Sequence, residues 1–346
     1  MLPYVLHETD LFRPHEDPDD HYDLACQFAL AKMGRIRLAG VLIDWPPSPG
    51  YGDPDMLAAA QMNQLTGQCA PVGVGCPPGE SGGTGEALLR RTLEDAPEPV
   101  TLHIVGSSRD VARFGRENLE LFRKKVRAIY LNAGSGTDSG RLEYNVALDP
   151  KAYAEIFRLP CAIYWMPCFH SVFAPGGEME VGEYGTFYRF RQADVFDRIS
   201  PRLLNYFLNV LARRESSRWL SCLDAPVDPR LRAHFGAMER NMWCTGGFLH
   251  AAGLTVHLDG SLAPLGEAPQ REVFEFVPAA VQCDDDGRCR WEPRAGSDRF
   301  IFRVRDERAY PAAMTAALIW PSTAVCAACA TPQSMPLTAM GSATLT

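Results

Sequence analysis

HETDLFRPHEDPDDHYD, residues 7–23, contains the end of a strand, a loop and the start of a helix. The short apolar run Tyr4–Thr9 predicts a β-strand, and Asp10 follows it directly. Helical periodicity begins at Tyr22 and extends to Met33. The carboxylates between these two elements therefore gather at one end of the predicted strand.

Several carboxylates at one strand end are unfavourable unless a cation neutralises them. The oxygen-rich set Asp10, Asp17, Asp19 and Asp20 suits a hard cation such as calcium or magnesium. The alternative is helix capping, which needs only one or two acidic residues at the helix start. Capping does not account for Asp10, so we favour a metal site.

Short apolar runs alternate with helical patterns on both sides of this segment, which is typical of βαβ units and a parallel sheet. We predict an α/β fold with a doubly wound, mostly parallel sheet and helices on both faces, which binds ligands at the carboxyl ends of its strands. The predicted strands are Tyr4–Thr9, Ile36–Ile43, Pro71–Gly75, Val100–Val105, Val126–Leu131 and Cys161–Met166. The predicted helices are Tyr22–Met33, Asp55–Leu65, Gly85–Asp95, Ser108–Phe122 and Pro150–Phe157.

An aromatic- and glycine-rich segment, residues 169–196, interrupts this alternation. Long irregular stretches in a compact domain are usually functional or disordered, and the aromatic content favours an ordered flap over the site. A surface hairpin or an oligomer contact is the equally weighted alternative. The side chains assigned to the flap are Phe187, Tyr188 and Phe190, for stacking on a planar base, and Arg189 or Arg191, for a polar substituent.

The C-terminal part predicts a smaller number of elements. Helices are expected at Pro201–Ala212, Gly246–Ala252 and Tyr310–Ile319, strands at Arg271–Val277 and Arg299–Val304, and a hairpin with a DG turn between Cys283 and Cys289. We expect one domain over residues 1–320 and a poorly ordered tail over residues 321–346.

Composition limits the classes of partner. The net charge is −8 and no long run of Lys and Arg is present, which argues against a nucleic-acid partner. The chain lacks an apolar run of about eighteen residues and a signal-like N-terminus, so we expect a cytoplasmic protein without a membrane partner. We expect a homodimer or a homotetramer.

Thr9-Asp10 and the later Asp19-Asp20 pair resemble the N-terminal signature of the inosine–uridine-preferring nucleoside hydrolases, an Asp-Thr-Asp run followed by two aspartates that open a helix. Eight residues separate Asp10 from Asp19 here, which is more than the family has. Residues 17–20, DPDD, are also similar to a variant found in a related nucleoside-hydrolase-like domain. Four further segments resemble family motifs in the same order, so that the resemblance covers roughly residues 4–320: Val100–Ala112, Ala128–Gly136, Glu143–Pro150 and Asp298–Leu318.

The resemblance implies hydrolysis of the N-glycosidic bond of a riboside, with calcium rather than magnesium as the cofactor. It also implies a role for each matching residue: Asp10 as metal ligand and base, Asp20 as metal ligand, the Val105 carbonyl as a further ligand, Asp19, Glu143 and Asn145 as ribose contacts, and Asn132 at a substrate-binding position.

Two departures from the family pattern weaken the implied site. The first aspartate of the family's Asp-Thr-Asp run is Glu8 here. The family has a His-Asp pair late in the chain, which supplies a leaving-group acid and a final metal ligand, whereas this chain reads Asn241-Met-Trp-Cys244-Thr245 there. Thr245 offers a weaker neutral ligand, and Asp17 in the longer loop is a candidate replacement. His250 is a candidate leaving-group acid, although a packed helix histidine is the favoured interpretation.

Two functions from different classes therefore remain open. The first is a calcium-dependent hydrolase acting on a ribonucleoside or a related riboside. The second is a nucleoside-hydrolase-like binding or regulatory module that keeps the ribose pocket without turnover. The missing His-Asp pair is the feature that separates them.

Overall fold

A computed structural model describes residues 2–14, 19–48, 50, 52–137, 140–171 and 179–324 of the chain. The strands in these ranges are, in chain order, β1 Tyr4–Thr9, β2 Phe12–Arg13, β3 Arg37–Ile43, β4 Asp53–Pro54, β5 Val72–Val74, β6 Val100–Ile104, β7 Val126–Asn132, β8 Ser135–Thr137, β9 Ala162–Met166, β10 Phe169–Ser171, β11 Tyr188–Arg191, β12 Glu239–Met242, β13 Leu254–Val256, β14 Leu262–Pro264, β15 Phe274–Cys283, β16 Cys289–Pro293 and β17 Arg299–Val304.

The helices in the same ranges are α1 Asp19–Lys32, α2 Met56–Thr66, α3 Gly83–Asp95, α4 Arg109–Glu117, α5 Leu119–Lys125, α6 Tyr144–Leu148, α7 Pro150–Ile156, α8 Gln192–Phe196, α9 Pro201–Leu211, α10 Pro229–Gly236, α11 Thr245–Ala251 and α12 Tyr310–Ala324. Short 3₁₀ turns occur at Ser221–Asp224 and Pro269–Arg271.

A nine-stranded sheet organises the chain, in the order β16-β15-β17-β9-β7-β6-β1-β3-β5. The seven strands from β17 to β5 are parallel to their neighbours, and β15 and β16 add an antiparallel edge. One apolar core packs α1, α2, α9, α11 and α12 on one face, and a second packs α3, α4, α5 and α7 on the other. The predicted doubly wound, mostly parallel α/β fold is thus confirmed.

The order of the strands reverses between β1 and β6. From β1 the chain proceeds outward through β3 to β5 and then returns to β6 on the other side of β1. In open parallel sheets such a switch point leaves a crevice between two loops that run in opposite directions, and ligands bind there. Asp10 and Val105 follow these two strands, so both lie at the switch point.

Helix α1 is unusual because every residue from Asp20 to Ala31 is buried. Apolar side chains on all sides of this helix pack between the sheet, α2 and α12. The two aspartates of its first turn are compatible with the positive end of the helix dipole. Burial on all sides fixes the direction in which these carboxylates leave the helix.

Most predicted elements are present, with differences at three places. The helix predicted over residues 108–122 is two helices, because Asn118 leaves the helical conformation and its amide donates to the carbonyl of Phe114. The strand predicted to begin at Arg271 begins at Phe274 after a 3₁₀ turn. The last helix reaches Ala324, and the remaining tail lies outside the described residues.

The aromatic segment is more regular than predicted. Phe169–Ser171 pairs with β8, and Tyr188–Arg191 pairs with β12 before helix α8 begins at Gln192. The hairpin predicted between Cys283 and Cys289 is also present, with these two residues paired. Among the described residues, no helix combines the length and the apolar character needed to span a bilayer.

Candidate functional site

A cavity of about 590 Å³ opens at the carboxyl end of the sheet. Polar side chains reach it from strand ends and from the first turn of α1, and aromatic side chains reach it from two later segments. Its lining includes Asp10, Asp19, Asp20, Asp23, Val105, Asn132, Arg141, Leu142, Glu143, Tyr144, Asn145, Ala147, Cys168, Phe169, Met179, Trp243 and Cys244. The residues predicted for metal and ribose thus meet in one cavity, with the exceptions given below.

Asp10 and Asp20 lie side by side at the base of this cavity. Both are buried, and the hydroxyl of Thr9 donates to Asp20 Oδ1 at 2.6 Å. Burial raises the pKa of Asp10 well above its ordinary value, and the negative charges of Asp20 and Asp44 raise it further. Two carboxyl groups in this position are easily ionised together only when a cation lies between them.

Asp19 and Asp23 leave α1 toward the same cavity, because residues four apart share one face of a helix. Asp23 is almost completely buried, and its carboxyl group lies close to the thiol of Cys244. Its Oδ1 has no hydrogen-bond partner. Burial raises the pKa of Asp23 well above its ordinary value, and the charge of Asp20 adds to the effect.

A second pair of carboxyl groups lies beneath Asp10. Glu8 and Asp44 are buried and within hydrogen-bond reach of each other, and burial and the nearby charge of Asp44 raise the pKa of Glu8 well above its ordinary value. Backbone N–H groups of Gly106 and Ser107 donate to them at 3.3 and 2.7 Å. A Cβ atom at Gly106 would lie 2.7 Å from Asp44 Oδ2, so this approach of backbone to carboxylates requires glycine.

Glu143 and Asn145 border the cavity from the start of α6. The Glu143 carboxylate accepts from the backbone N–H groups of Gly134 and Asn145 at 2.8 and 3.0 Å, and it caps the helix. Asn145 Nδ2 donates to the carbonyl of Val105 at 3.0 Å, while its Oδ1 has no partner. Glu143 therefore both caps α6 and lines the cavity.

Asn132 forms a polar floor at the end of β7. Its Nδ2 donates to the carbonyl of Met166 and to the Thr186 hydroxyl, both at 2.9 Å. Its Oδ1 accepts from the thiols of Cys168 and Cys244, at 3.5 and 3.2 Å. Burial raises the pKa of both thiols well above the ordinary value, so they act here as neutral donors.

Aromatic side chains close the other wall of the cavity. Phe169 and Trp243 line it with ring centroids 5.9 Å apart, and Phe187 supports both rings from behind. Met179 completes this wall. The indole Nε1 of Trp243 is buried without a hydrogen-bond partner.

Within residues 169–196, Phe169 and Met179 line the cavity, whereas the side chains assigned to the flap lie elsewhere. Tyr188 and Phe190 point into the core, and Arg189 and Arg191 are exposed on the opposite side of the same strand. Phe187 packs behind the cavity wall, so the five residues assigned to the flap are absent from the described lining.

Thr245 and His250 also lie away from the cavity. The Thr245 hydroxyl is buried against Tyr188 Oη at 2.8 Å, and Cys244 is the residue of this segment that reaches the lining. His250 Nδ1 lies 2.7 Å from Tyr130 Oη, and its ring packs on Tyr164 and Phe276. Burial lowers the pKa of His250 to about 4, so it is the packed neutral histidine of the favoured interpretation. Asp17 lies outside the described residues.

Sequence reasoning missed Asp23, Asp44 and the aromatic wall of Phe169 and Trp243. Asp23 had a readable signal, since it follows Asp19 by one helical turn. Asp44 directly follows a buried apolar strand, at a loop already assigned to the ligand side of the sheet. Phe169 and Trp243 are far apart in sequence, and no local pattern brings them together.

The donor set partly fits a hard cation. Asp10 and Asp20 supply adjacent carboxylate oxygens, and the Val105 carbonyl lines the same cavity. However, no group of three or more His, Cys, Asp or Glu side chains is arranged to hold a metal ion within the described ranges. Two carboxylates and a carbonyl form a sparse site, for which low affinity is expected.

No protein-family model matches the chain. A pyrimidine-specific ribonucleoside hydrolase, RihA of Citrobacter koseri, is 32% identical over 77 residues, and the match spans 22% of this chain and 25% of that protein. Solved structures match over far more of the chain. The type III effector XopQ, solved with adenosine diphosphate ribose, has a TM-score of 0.57 and 15% identity, with 94% of each chain covered.

Two nucleoside hydrolases match over a similar extent. An inosine–guanosine nucleoside hydrolase and the plant enzyme PpNRh1 each have a TM-score of 0.53, at 13% and 14% identity. Each comparison covers 92% of this chain and 99% of the other. The chain therefore has the fold of these nucleoside hydrolases.

Proposed function

We propose that this protein hydrolyses the N-glycosidic bond of a riboside with the help of a weakly bound divalent cation, for which calcium is the first candidate. The observation that carries the proposal is the meeting of Asp10, Asp19 and Asp20 with Glu143 and Asn145 in one cavity at the switch point of the sheet. The oxygen-rich end suits a sugar and a cation, and the aromatic wall suits a planar base.

The protein's own groups divide the chemistry between two ends of the cavity. Asp19 and Asn145 accept hydrogen bonds from ribose hydroxyls, while Phe169 and Trp243 hold the leaving group and limit the access of water. Asp10 takes the proton of the attacking water and, with Asp20, holds the cation. When bound, the cation lowers the pKa of a water molecule and stabilises negative charge.

The leaving group sets the range of substrates. No histidine is among the described residues that line the cavity, and the thiols of Cys168 and Cys244 are neutral donors that already donate to Asn132. The described lining therefore offers few side chains that could protonate a poor leaving group. We expect ribosides with a good leaving group, such as 4-nitrophenyl riboside, to react faster than natural nucleosides.

A sugar-release assay tests this proposal. The panel contains 4-nitrophenyl riboside and the common purine and pyrimidine nucleosides, each with calcium and with a chelator. We expect release with calcium and its loss with the chelator, and the Asp10→Asn variant controls for a contaminating hydrolase. The proposal is wrong if no riboside is cleaved with calcium, or if Asp10→Asn is as active as the parent.

A binding module is the second candidate. Cys244 lies where the late carboxylate of the hydrolase pattern is expected, and XopQ, which has the same fold, was solved with adenosine diphosphate ribose. Calorimetry with adenosine diphosphate ribose and with ribose distinguishes the two candidates. Tight binding without release of sugar supports the module, and turnover of any riboside supports the hydrolase.

A further inference from the structure

Cys283 and Cys289 face each other at the closed end of the β15–β16 hairpin. They are the last directly opposed pair before the turn, and both thiols are free. We propose that these two residues form a reversible cross-strand disulfide, a redox modification site separate from the candidate riboside cavity.

The backbone geometry of the hairpin suits this bond. The next pair, Asp284 and Arg288, is joined by a backbone hydrogen bond of 2.9 Å, which makes Cys283 and Cys289 a non-hydrogen-bonded pair. In such pairs the Cα atoms lie about 4.5 Å apart, within the range of about 4.4–6.8 Å that disulfides span. The bond therefore forms without a change of register.

The side chains also have the required direction. Directly opposed residues point to the same face of a hairpin, and both cysteines pack with Val281 and Trp291 against the second apolar core. The two thiols lie within hydrogen-bond reach of each other, and Cys289 donates to Tyr153 Oη at 3.6 Å. Both side chains are partly exposed, so a small oxidant reaches them.

The turn between the two cysteines is anchored on both sides. Arg158 donates to the carbonyl of Cys283 at 3.3 Å and to Asp285 Oδ1 at 2.6 Å. Arg288 donates to the carbonyl of Gly140 at 3.3 Å. Because these contacts hold the hairpin in one arrangement, the two thiols stay close to each other. A mixed disulfide at one cysteine therefore reacts with the other cysteine in preference to a second external thiol.

The oxidant is a small-molecule disulfide, such as oxidised glutathione. A thiolate of the pair attacks one sulfur of the oxidant, forms a mixed disulfide and releases one glutathione thiol. The second cysteine of the pair then attacks the mixed disulfide and releases the other glutathione. The protein loses two protons and two electrons, and the oxidant gains both as it becomes two thiols.

Other cysteines provide internal comparisons. Cys69 is exposed and lies between α2 and β5, so it reports modification of a thiol outside the hairpin. Cys168 and Cys244 are buried, and both donate to Asn132 Oδ1. The proposal therefore predicts two kinds of product, a linked pair at the hairpin and a mixed disulfide at Cys69.

Peptide mapping of the full chain tests the proposal. The protein is equilibrated with mixtures of reduced and oxidised glutathione, quenched with an alkylating reagent and digested with trypsin, which cuts after Arg288 between the two cysteines. We expect a linked pair of peptides that contains Cys283 and Cys289, that increases with the share of oxidised glutathione and that is abolished by reduction. In Cys283→Ser the linked pair is lost, and Cys289 carries a single glutathione instead.

The opposite result is equally clear. If Cys283 and Cys289 each carry glutathione, or stay reduced while Cys69 is modified, the proposal is wrong. The Cys69→Ser variant is the matched control, and it must give the same yield of the linked pair as the parent. Since the assay measures only the thiols, its outcome does not depend on the proposed hydrolase activity.

Discussion

Asp10 and Asp20 carry the metal-binding part of the proposal. Each supplies a charged oxygen to a site with few other ligands, so neither loss is easily compensated. We expect the parent to bind calcium with a Kd of about 10⁻⁴–10⁻³ M. The variants Asp10→Asn and Asp20→Asn each weaken binding on the order of tenfold or more.

Isothermal titration calorimetry measures this effect. Asp110→Asn is the matched control, since Asp110 is a buried carboxylate that pairs with Arg113 and does not line the cavity. Equal calcium affinity in the parent and in either cavity variant contradicts the assignment. A loss of affinity in the control as large as in the cavity variants does so as well.

His7 gives a pH-dependent prediction that is independent of ligands. Its ring is completely buried between Phe248 and His103, neither ring nitrogen has a partner, and burial lowers its pKa to about 3. In the unfolded chain His7 binds a proton as the pH falls below about 6.5, whereas in the folded chain it stays neutral. His7 therefore lowers the free energy of unfolding as the pH falls below that value. Between pH 7 and pH 5 the cost reaches about 2 kcal/mol.

The variant His7→Leu removes this cost. Urea unfolding of parent and variant at pH 7 and pH 5 measures the difference, in which the other titrating groups cancel. We expect the stability of the variant relative to the parent to rise by about 2 kcal/mol on going from pH 7 to pH 5. A difference that is the same at both values refutes the buried neutral state of His7.

At the next scale, helix α6 shows how one residue serves two purposes. Glu143 caps this helix through backbone N–H groups and also lines the cavity, whereas Asp149 caps α7 in the same way without reaching the cavity. We expect Glu143→Gln and Asp149→Ala each to lower the free energy of unfolding by about 1–2 kcal/mol, because each weakens a cap.

Riboside binding separates the two roles of Glu143. Glu143→Gln should also weaken the binding of a nucleoside, while Asp149→Ala should leave it unchanged. Calorimetry of both variants with a nucleoside is the measurement. If the two variants lose stability equally and bind the nucleoside equally well, Glu143 is a cap only, and the sugar contact inferred from the resemblance is wrong.

Helices and strands with a strong local pattern were predictable from the sequence. Those that depend on side-chain hydrogen bonds or on pairing between distant residues were not. The bounds of β1 and β17 agree with the apolar runs that predicted them. The single helix predicted before β7 failed at Asn118, where a side-chain bond to the preceding turn competes with the helix. The side chains of the aromatic segment that face the cavity were not predictable for a different reason, since the β11–β12 pairing joins residues about fifty positions apart.

The candidate site also combines residues that lie close together in sequence with residues that only the packing of distant segments brings together. Sequence spacing placed Asp10, Asp19 and Asp20 together because they belong to one strand–helix unit, and parallel topology added Val105 and Asn132. It did not place Cys244 beside Asp23, nor Trp243 beside Phe169, because those contacts depend on how the last third of the chain packs on α1. These residues complete the half of the cavity that no local motif describes.

The buried carboxyl groups in and beneath this cavity make the free energy of unfolding depend on both pH and calcium. Burial raises the pKa of Glu8, Asp10 and Asp23 well above their ordinary values. Between the ordinary carboxyl pKa of about 4 and those raised values, the folded chain keeps protons that the unfolded chain releases. The stability that these retained protons contribute is therefore fully present below about pH 4. It is lost as the pH rises through the raised pKa values of the folded chain.

Calcium reverses this trend, because it binds the deprotonated carboxylates and takes the place of the protons. We expect calcium at one hundred times its Kd to stabilise the protein by about 2.7 kcal/mol, through its preference for the folded chain. The calcium-dependent rise in Tm should be larger at pH 8 than at pH 6, and much smaller at both values in Asp10→Asn. Thermal unfolding at the two pH values, with calcium and with a chelator, measures this rise in Tm. A larger rise at pH 6 would show that calcium binds elsewhere than at the carboxyl groups whose pKa is raised.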